Sequence, residues 1–101
     1  MGMTVTEQRL SPRTTVDLPC TLARRRGNPV SARTTDVSAG GMCVITDRPL
    51  TLDEELEFDL SPDVPDHPHG RARVVREQRS NCYALRFEHA VAGMLDWVAT
   101  H

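Results

Sequence analysis

Two short patterns in this sequence place side chains that can bind an anion or a nucleobase. The first is R-x-x-x-R, formed by Arg9 and Arg13; the second is D-x-S-x-x-G, formed by Asp36, Ser38 and Gly41. An arginine offers paired hydrogen bonds to a phosphate or to guanine O6 and N7, and its planar face stacks on a purine. A carboxylate accepts from the N1–H and N2–H donors of guanine. Side chains of these types can therefore bind a phosphate or a nucleobase.

Each pattern has a simpler interpretation when it stands alone. The arginine pair can be a solvated arm, because all 12 cations of this chain are arginine and close pairs are frequent. The second pattern can be a tight turn from Asp36 to Gly41, in which Asp36 and Ser38 bond local amides and Gly40 or Gly41 takes a positive φ. The order of the two patterns relative to the surrounding strands decides between these interpretations.

Apolar and polar residues alternate with period two along much of the chain, which predicts half-buried strands. Pro19 falls on the outward face of the first of them, which favours an edge strand or a bulge there. Three- and four-residue spacing from Ala90 to Ala99 predicts a short amphipathic helix. The predicted strands cover residues 16–22, 30–35, 42–45, 56–60, 72–76 and 83–87.

These elements predict an all-β fold, a six-stranded antiparallel β-barrel with a short C-terminal α-helix. Side chains fill the interior of so small a barrel, so a ligand must bind outside it or at a rim. Residues 1–12 lack periodic patterning and are predicted to form a mobile N-terminal arm, followed by a single barrel domain over residues 13–101. The arginine pair precedes the first strand, and the Asp36 turn joins the second and third.

Composition predicts a cytoplasmic protein. The sequence has no apolar stretch of about 20 residues and no signal-peptide layout. Its three cysteines, Cys20, Cys43 and Cys82, are widely spaced and are predicted to be reduced thiols, at least two of them buried. His67 and His69 flank a proline in a polar loop without a further nearby ligand, so a solvated loop is favoured over a metal site. We find no catalytic set in the sequence.

The two patterns, in this order, resemble those of the PilZ domain family. Two later segments are also similar, Gly-x-x-x-Val-Val-Arg at residues 70–76 and Ala-Leu-Arg-Phe at residues 84–87, so the resemblance covers nearly the whole chain. Ala84 stands where the family more often has glycine. The resemblance implies a bacterial, non-enzymatic receptor for cyclic di-GMP that needs no other cofactor and acts through a downstream protein partner of unknown identity.

The resemblance also assigns roles to individual residues. The arginines would bind phosphate or guanine, the aspartate would read the guanine edge, the serine would add a hydroxyl, and the glycines would let the ligand approach, so that a side chain at Gly41 would intrude. Gln8 occupies the place where some relatives carry an extra arginine and bind an intercalated ligand dimer, which leaves the stoichiometry open. The predicted ligand-binding residues are Arg9, Arg13, Asp36, Ser38, Gly40 and Gly41, with Gln8 and Arg33 as possible auxiliaries.

Two other functions stay open at this point. One is a PilZ-like protein-interaction module that does not bind nucleotide. The other is a small barrel that binds a nucleic acid polymer through its arginine-rich face. The net charge of −2 argues against the second, and Tyr83 is the one aromatic residue on a strand with a chance of facing outward.

Overall fold

Seven strands and one helix make up the computed structural model, which describes residues 13–101. The strands are short and follow one another with brief connections, and the helix comes last. In chain order the elements are β1 (Arg13–Thr15), β2 (Pro19–Arg24), β3 (Val30–Ser38), β4 (Gly41–Thr46), β5 (Glu55–Leu60), β6 (His69–Arg79), β7 (Cys82–Phe87) and α1 (Met94–Thr100).

Strands β2 to β7 close into an antiparallel barrel. The strand order is β3-β2-β5-β6-β7-β4, and β4 pairs back with β3 to complete the circle. The predicted six-stranded barrel with one C-terminal helix is therefore confirmed. The three-residue β1 lies outside the circle, where it pairs with the last part of β3. It was not predicted, because three residues are too few to reveal alternation.

The first predicted strand, over residues 16–22, is interrupted. β1 and β2 both run along β3, and their registers differ by one residue: Arg13 lies opposite Ser38, and Pro19 opposite Arg33. Pro19 is the first residue of β2, a position that tolerates the missing N–H. The expectation of an edge strand is wrong, because β2 pairs with both β3 and β5. The structure instead contains a local irregularity just before Pro19, where the register against β3 shifts by one residue.

Several elements differ in length from their predicted extents. β3 continues to Ser38, so the predicted turn from Asp36 shrinks to the two residues Ala39 and Gly40. β6 and β7 are extended as well, and their connection narrows to two residues. The helix begins at Met94 rather than Ala90, because Gly93 ahead of it has a left-handed φ of 75°. No helix in residues 13–101 is long and apolar enough to cross a membrane.

The barrel interior is filled by apolar side chains at alternate strand positions, as predicted. Phe58 and Phe87 stack there with their ring centroids 4.7 Å apart, and Met94 and Val98 of the helix join the same core. Tyr83 is also inside, 1% exposed, and its hydroxyl accepts a hydrogen bond from the Leu50 amide. The outward orientation considered for Tyr83 is therefore wrong. The three cysteines are free and buried, as predicted.

Candidate functional site

The structure brings Arg13 and Asp36, one from each sequence pattern, into direct contact. β1 pairs with the end of β3, and this register sets Thr15 opposite Asp36 and Arg13 opposite Ser38. The Arg13 guanidinium donates two hydrogen bonds to Asp36 Oδ1, from Nη2 at 2.7 Å and from Nε at 3.0 Å. Both side chains remain partly exposed, at 44% and 26%. An arginine and a carboxylate therefore lie side by side on the outer surface of the barrel.

Cys43 lies beneath this ion pair. It is the cross-strand neighbour of Asp36 on β4, and Arg13 Nη2 is 3.4 Å from its Sγ. Burial raises the pKa of the Cys43 thiol, and the nearby Asp36 carboxylate raises it further, so the thiol stays neutral. The hydrogen bond that Arg13 donates to Asp36 raises the pKa of Arg13. The position of Cys43 depends on the register of β3 against β4, which local sequence patterns do not reveal.

The Ser38 hydroxyl is engaged within the β3–β4 connection. Ser38 is only 7% exposed, and its hydroxyl donates to the Gly41 carbonyl oxygen at 3.2 Å. The expectation of a positive φ at Gly40 or Gly41 is wrong, since the positive-φ glycines within residues 13–101 are Gly27 and Gly93. In this structure the Ser38 hydroxyl therefore stabilises the β3–β4 turn, next to the Arg13–Asp36 ion pair.

Gly41 is required by the barrel itself. It pairs with Arg86 on β7, and a Cβ at this position would collide with the backbone carbonyl oxygen of Leu85. The first obstacle to a side chain at Gly41 is therefore β7, whereas the sequence had suggested intrusion on the ligand. Gly40 differs, because a Cβ there would meet no atom within 4 Å.

The predicted auxiliary residue Arg33 is engaged elsewhere. Its Nε donates to Asp17 Oδ1 at 2.6 Å on the exposed surface. The structure therefore brings Arg33 together with Asp17 rather than with Asp36. Arg9, Gln8 and the predicted arm over residues 1–12 lie outside the described residues.

His67 has a structural partner in the loop that follows β5. Its Nε2 lies 2.8 Å from Asp59 Oδ1, and its Nδ1 lies 2.9 Å from the Val64 carbonyl oxygen. The hydrogen bond to Asp59 raises the pKa of His67, with a further contribution from the Val64 carbonyl. No group of three or more His, Cys, Asp or Glu side chains in the described part of the chain is arranged to hold a metal ion. The contacts of His67 hold the loop against the strand.

The model of the PilZ domain family matches residues 7–96, which is most of the chain and includes both patterns. This chain belongs to the PilZ family. The predicted family is thereby confirmed. A search of the curated proteins found no significant match.

Two solved structures share the fold of this PilZ domain. One is the PilZ domain of YcgR from Escherichia coli, solved with cyclic di-GMP, at 15% identity and a TM-score of 0.70, with 92% of this chain and 87% of that chain covered. The other is the inhibitor of motility MotI (DgrA) from Bacillus subtilis, at 19% identity and a TM-score of 0.66, with 93% of this chain covered. This chain spans 48% of the MotI chain. At these identities the similarity shows the fold alone.

Proposed function

We propose that this PilZ domain is a cytoplasmic receptor for cyclic di-GMP in bacterial second-messenger signalling, a binding and adaptor module rather than an enzyme. The observation that carries the proposal is the contact between Arg13 and Asp36, which joins the two family motifs on the outer surface of the barrel. That the PilZ domain of YcgR was solved with this ligand supports the choice of nucleotide.

The free ion pair is suited to exchange partners with such a ligand. In the free protein Arg13 is neutralised by Asp36, and neither side chain is fully buried, so a guanine can reach both. We expect Asp36 to accept from guanine N1–H and N2–H, while Arg13 turns to a phosphate or to the face of the base. Each partner of the pair then gains a contact with the ligand in place of the contact that it gives up.

These two residues alone cannot supply micromolar affinity. A cation stacked on an aromatic ring contributes about 0.5–2 kcal/mol, and a hydrogen bond to a charged group about 1.5–3 kcal/mol. Micromolar binding needs about −8 kcal/mol after association costs of at least about 4 kcal/mol. We therefore expect Arg9 to join the site, with Ser38, Gly40 and Gly41 beneath the ligand, and Gln8 and Arg33 remain possible auxiliaries. Closure of the N-terminal segment over the ligand would give a downstream protein partner a surface to read.

The alternative function is a PilZ-like interaction module that works without nucleotide. It predicts a partner that binds equally well with and without cyclic di-GMP. The two complete patterns favour the receptor, because a module free of the nucleotide has no evident reason to keep both arginines, Asp36 and Ser38. Binding to a nucleic acid polymer is further disfavoured, because Tyr83 is buried and offers no stacking surface.

Calorimetric titration with cyclic di-GMP tests the proposal. We expect saturable heat for the wild-type protein, loss of most of the affinity in Arg13→Ala and Asp36→Ala, and weaker binding as salt rises. Arg48→Ala is the matched control, since Arg48 is an exposed arginine just beyond the opposite end of β4. Absence of heat at tens of micromolar ligand, or equal affinity in all four proteins, would overturn the proposal.

A further inference from the structure

A continuous row of side chains crosses the outer face of the barrel from Asp36 to a second arginine. Each residue of the row is the cross-strand partner of the next: Thr15 on β1, Asp36 on β3, Cys43 on β4, Ala84 on β7 and Arg76 on β6. Buried core residues occupy the alternate positions on β4 and β7, so Cys43 and Ala84 lie on the outer face. Register shifts between Thr34 and Asp36 on β3 and between Val74 and Arg76 on β6 bring Asp36 and Arg76 onto the same face. Asp36 and Arg76 therefore lie on the same face, three strands apart.

A second row of cross-strand partners lies beside the first on the outer face of the barrel. Arg13 is the partner of Ser38 across β1 and β3, and the two-residue connection leads from Ser38 to Gly41. Gly41 is in turn the partner of Arg86 on β7, which is the partner of Arg73 on β6. This row runs from Arg13 on the β1 side to Arg86 and Arg73 on the far side, whereas the first row runs from Thr15 and Asp36 to Arg76.

The residues between these arginines are all small. Ser38, Gly41, Cys43 and Ala84 form a floor, defined here as the outer-face positions of β3, β4 and β7 between the two groups of arginines. Adjacent strands are about 4.8 Å apart, so the distance from β3 to β6 is about 14 Å. Ser38, Cys43 and Ala84 are themselves buried in this structure, so the surface above the floor is set by their neighbours. No large floor side chain would stand between a flat, ring-shaped ligand and the sheet.

Arg76 and Arg86 differ from two other arginines of β6, Arg71 and Arg73. Arg73 has Glu55 as an ion-pair partner, and Arg71 has Glu57. Arg76 and Arg86 are exposed, and neither forms an ion pair with an acidic side chain in the part of the chain that the structure describes. Their guanidinium groups are therefore available to an anion or to the face of a base.

We propose that Arg76 and Arg86 bind the far half of the cyclic dinucleotide. This inference rests on the proposed function and extends the site across the floor to β6 and β7. One guanine lies at Arg13 and Asp36, the ring of the ligand lies over Cys43 and Ala84, and a phosphate or the second guanine meets the two far arginines. A ligand with two phosphates and two bases needs contacts at both of its ends, and the rows provide them.

Calorimetry with cyclic di-GMP on Arg76→Ala and Arg86→Ala tests this extension. A lost charge-assisted hydrogen bond or stacking contact predicts binding about ten- to a hundredfold weaker for each variant. Arg79→Ala, which removes an exposed arginine from the end of β6 beyond the floor, is the matched control and is expected to bind within about threefold of wild type. Ala84→Leu should abolish binding by filling the floor, provided that its thermal unfolding shows an intact fold.

The outcomes separate this inference from the function on which it rests. No binding by the wild-type protein overturns both. Normal binding by wild type, with loss in Arg13→Ala but affinities of Arg76→Ala and Arg86→Ala equal to that of Arg79→Ala, overturns the extension alone. Amide spectra of the wild-type protein provide a test without substitutions. Ligand should shift the signals of Ala84 and Arg86, and unshifted signals at saturation would contradict the extension.

Discussion

Substitution of Gly41 by alanine tests the reason that the structure gives for a glycine at the end of the D-x-S-x-x-G pattern. The added Cβ would collide with the carbonyl oxygen of Leu85, a backbone atom that cannot rotate away. Relief requires β4 and β7 to separate at the Gly41–Arg86 pair. Gly40→Ala is the matched control one residue away, because its Cβ would have no atom within 4 Å.

The expected destabilisation of Gly41→Ala follows from two contributions. Overpacking of a well-packed site costs about 1–3 kcal/mol, and the weakened ladder hydrogen bond adds about 1 kcal/mol. The total of about 2–4 kcal/mol corresponds to a fall in Tm of about 10–30 °C for a domain of this size. Gly40→Ala is expected to lie within about 1 kcal/mol of wild type, and a small stabilisation would come from the reduced freedom of the unfolded chain.

Thermal unfolding of the three proteins, followed by circular dichroism without ligand, measures this difference. A Tm for Gly41→Ala within about 3 °C of wild type would refute the steric reasoning, because it would mean that β4 and β7 yield freely. An equal loss in Gly40→Ala would refute it too, since that result would assign the cost to the turn conformation instead of to contact with β7.

Three further predictions concern parts of the barrel away from the ligand motifs. Tyr83→Phe should cost about 1–3 kcal/mol of stability in chemical denaturation, because the buried Leu50 amide loses its acceptor. Glu54→Gln should lower the stability by about 1 kcal/mol near neutral pH. The hydrogen bond from Arg24 lowers the pKa of Glu54 from 4.5, so this stabilisation is present above pH 4.5 and is lost as pH falls through the lowered pKa. Below that pKa the wild-type protein and Glu54→Gln should be equally stable. The pKa of His67, measured by NMR titration, should lie above 6.5. The stabilisation from the hydrogen bond between His67 and Asp59 is complete below pH 6.5 and is lost as pH rises through the raised pKa. A titration midpoint at or below 6.5 would contradict this prediction.

The barrel could be predicted from the sequence because most of its strands carry an alternating pattern, while residues 42–45 form a short apolar run bounded by a turn and a proline. Val74 and Leu85 point inward on this basis, and both are buried in the structure. The start of the helix could not be placed as well, because Val91 has helical spacing yet precedes Gly93, whose backbone conformation excludes it from the helix. Period and spacing identify an element, whereas backbone conformation decides where it begins.

The residue types of the candidate site could be proposed from the sequence, but their contacts could not. Arg13 and Asp36 were both predicted, yet their contact depends on β1, a strand too short to leave a pattern. The strand register places the small residues Cys43 and Ala84 in one row with Asp36, and without the register their position relative to the candidate site cannot be known. Register results from closure of the whole barrel, so no local reading of the chain could have supplied it.

The most direct test of the receptor function is a titration of the folded protein with cyclic di-GMP, followed by amide chemical shifts. We predict saturable shifts at Arg13, Asp36 and Gly41 with a Kd in the micromolar range or tighter, and unchanged signals at Arg48. Both the existence of binding and its location are read from one experiment. A well-dispersed spectrum that stays unchanged up to about 1 mM ligand, or shifts confined to residues far from Arg13 and Asp36, would contradict the account.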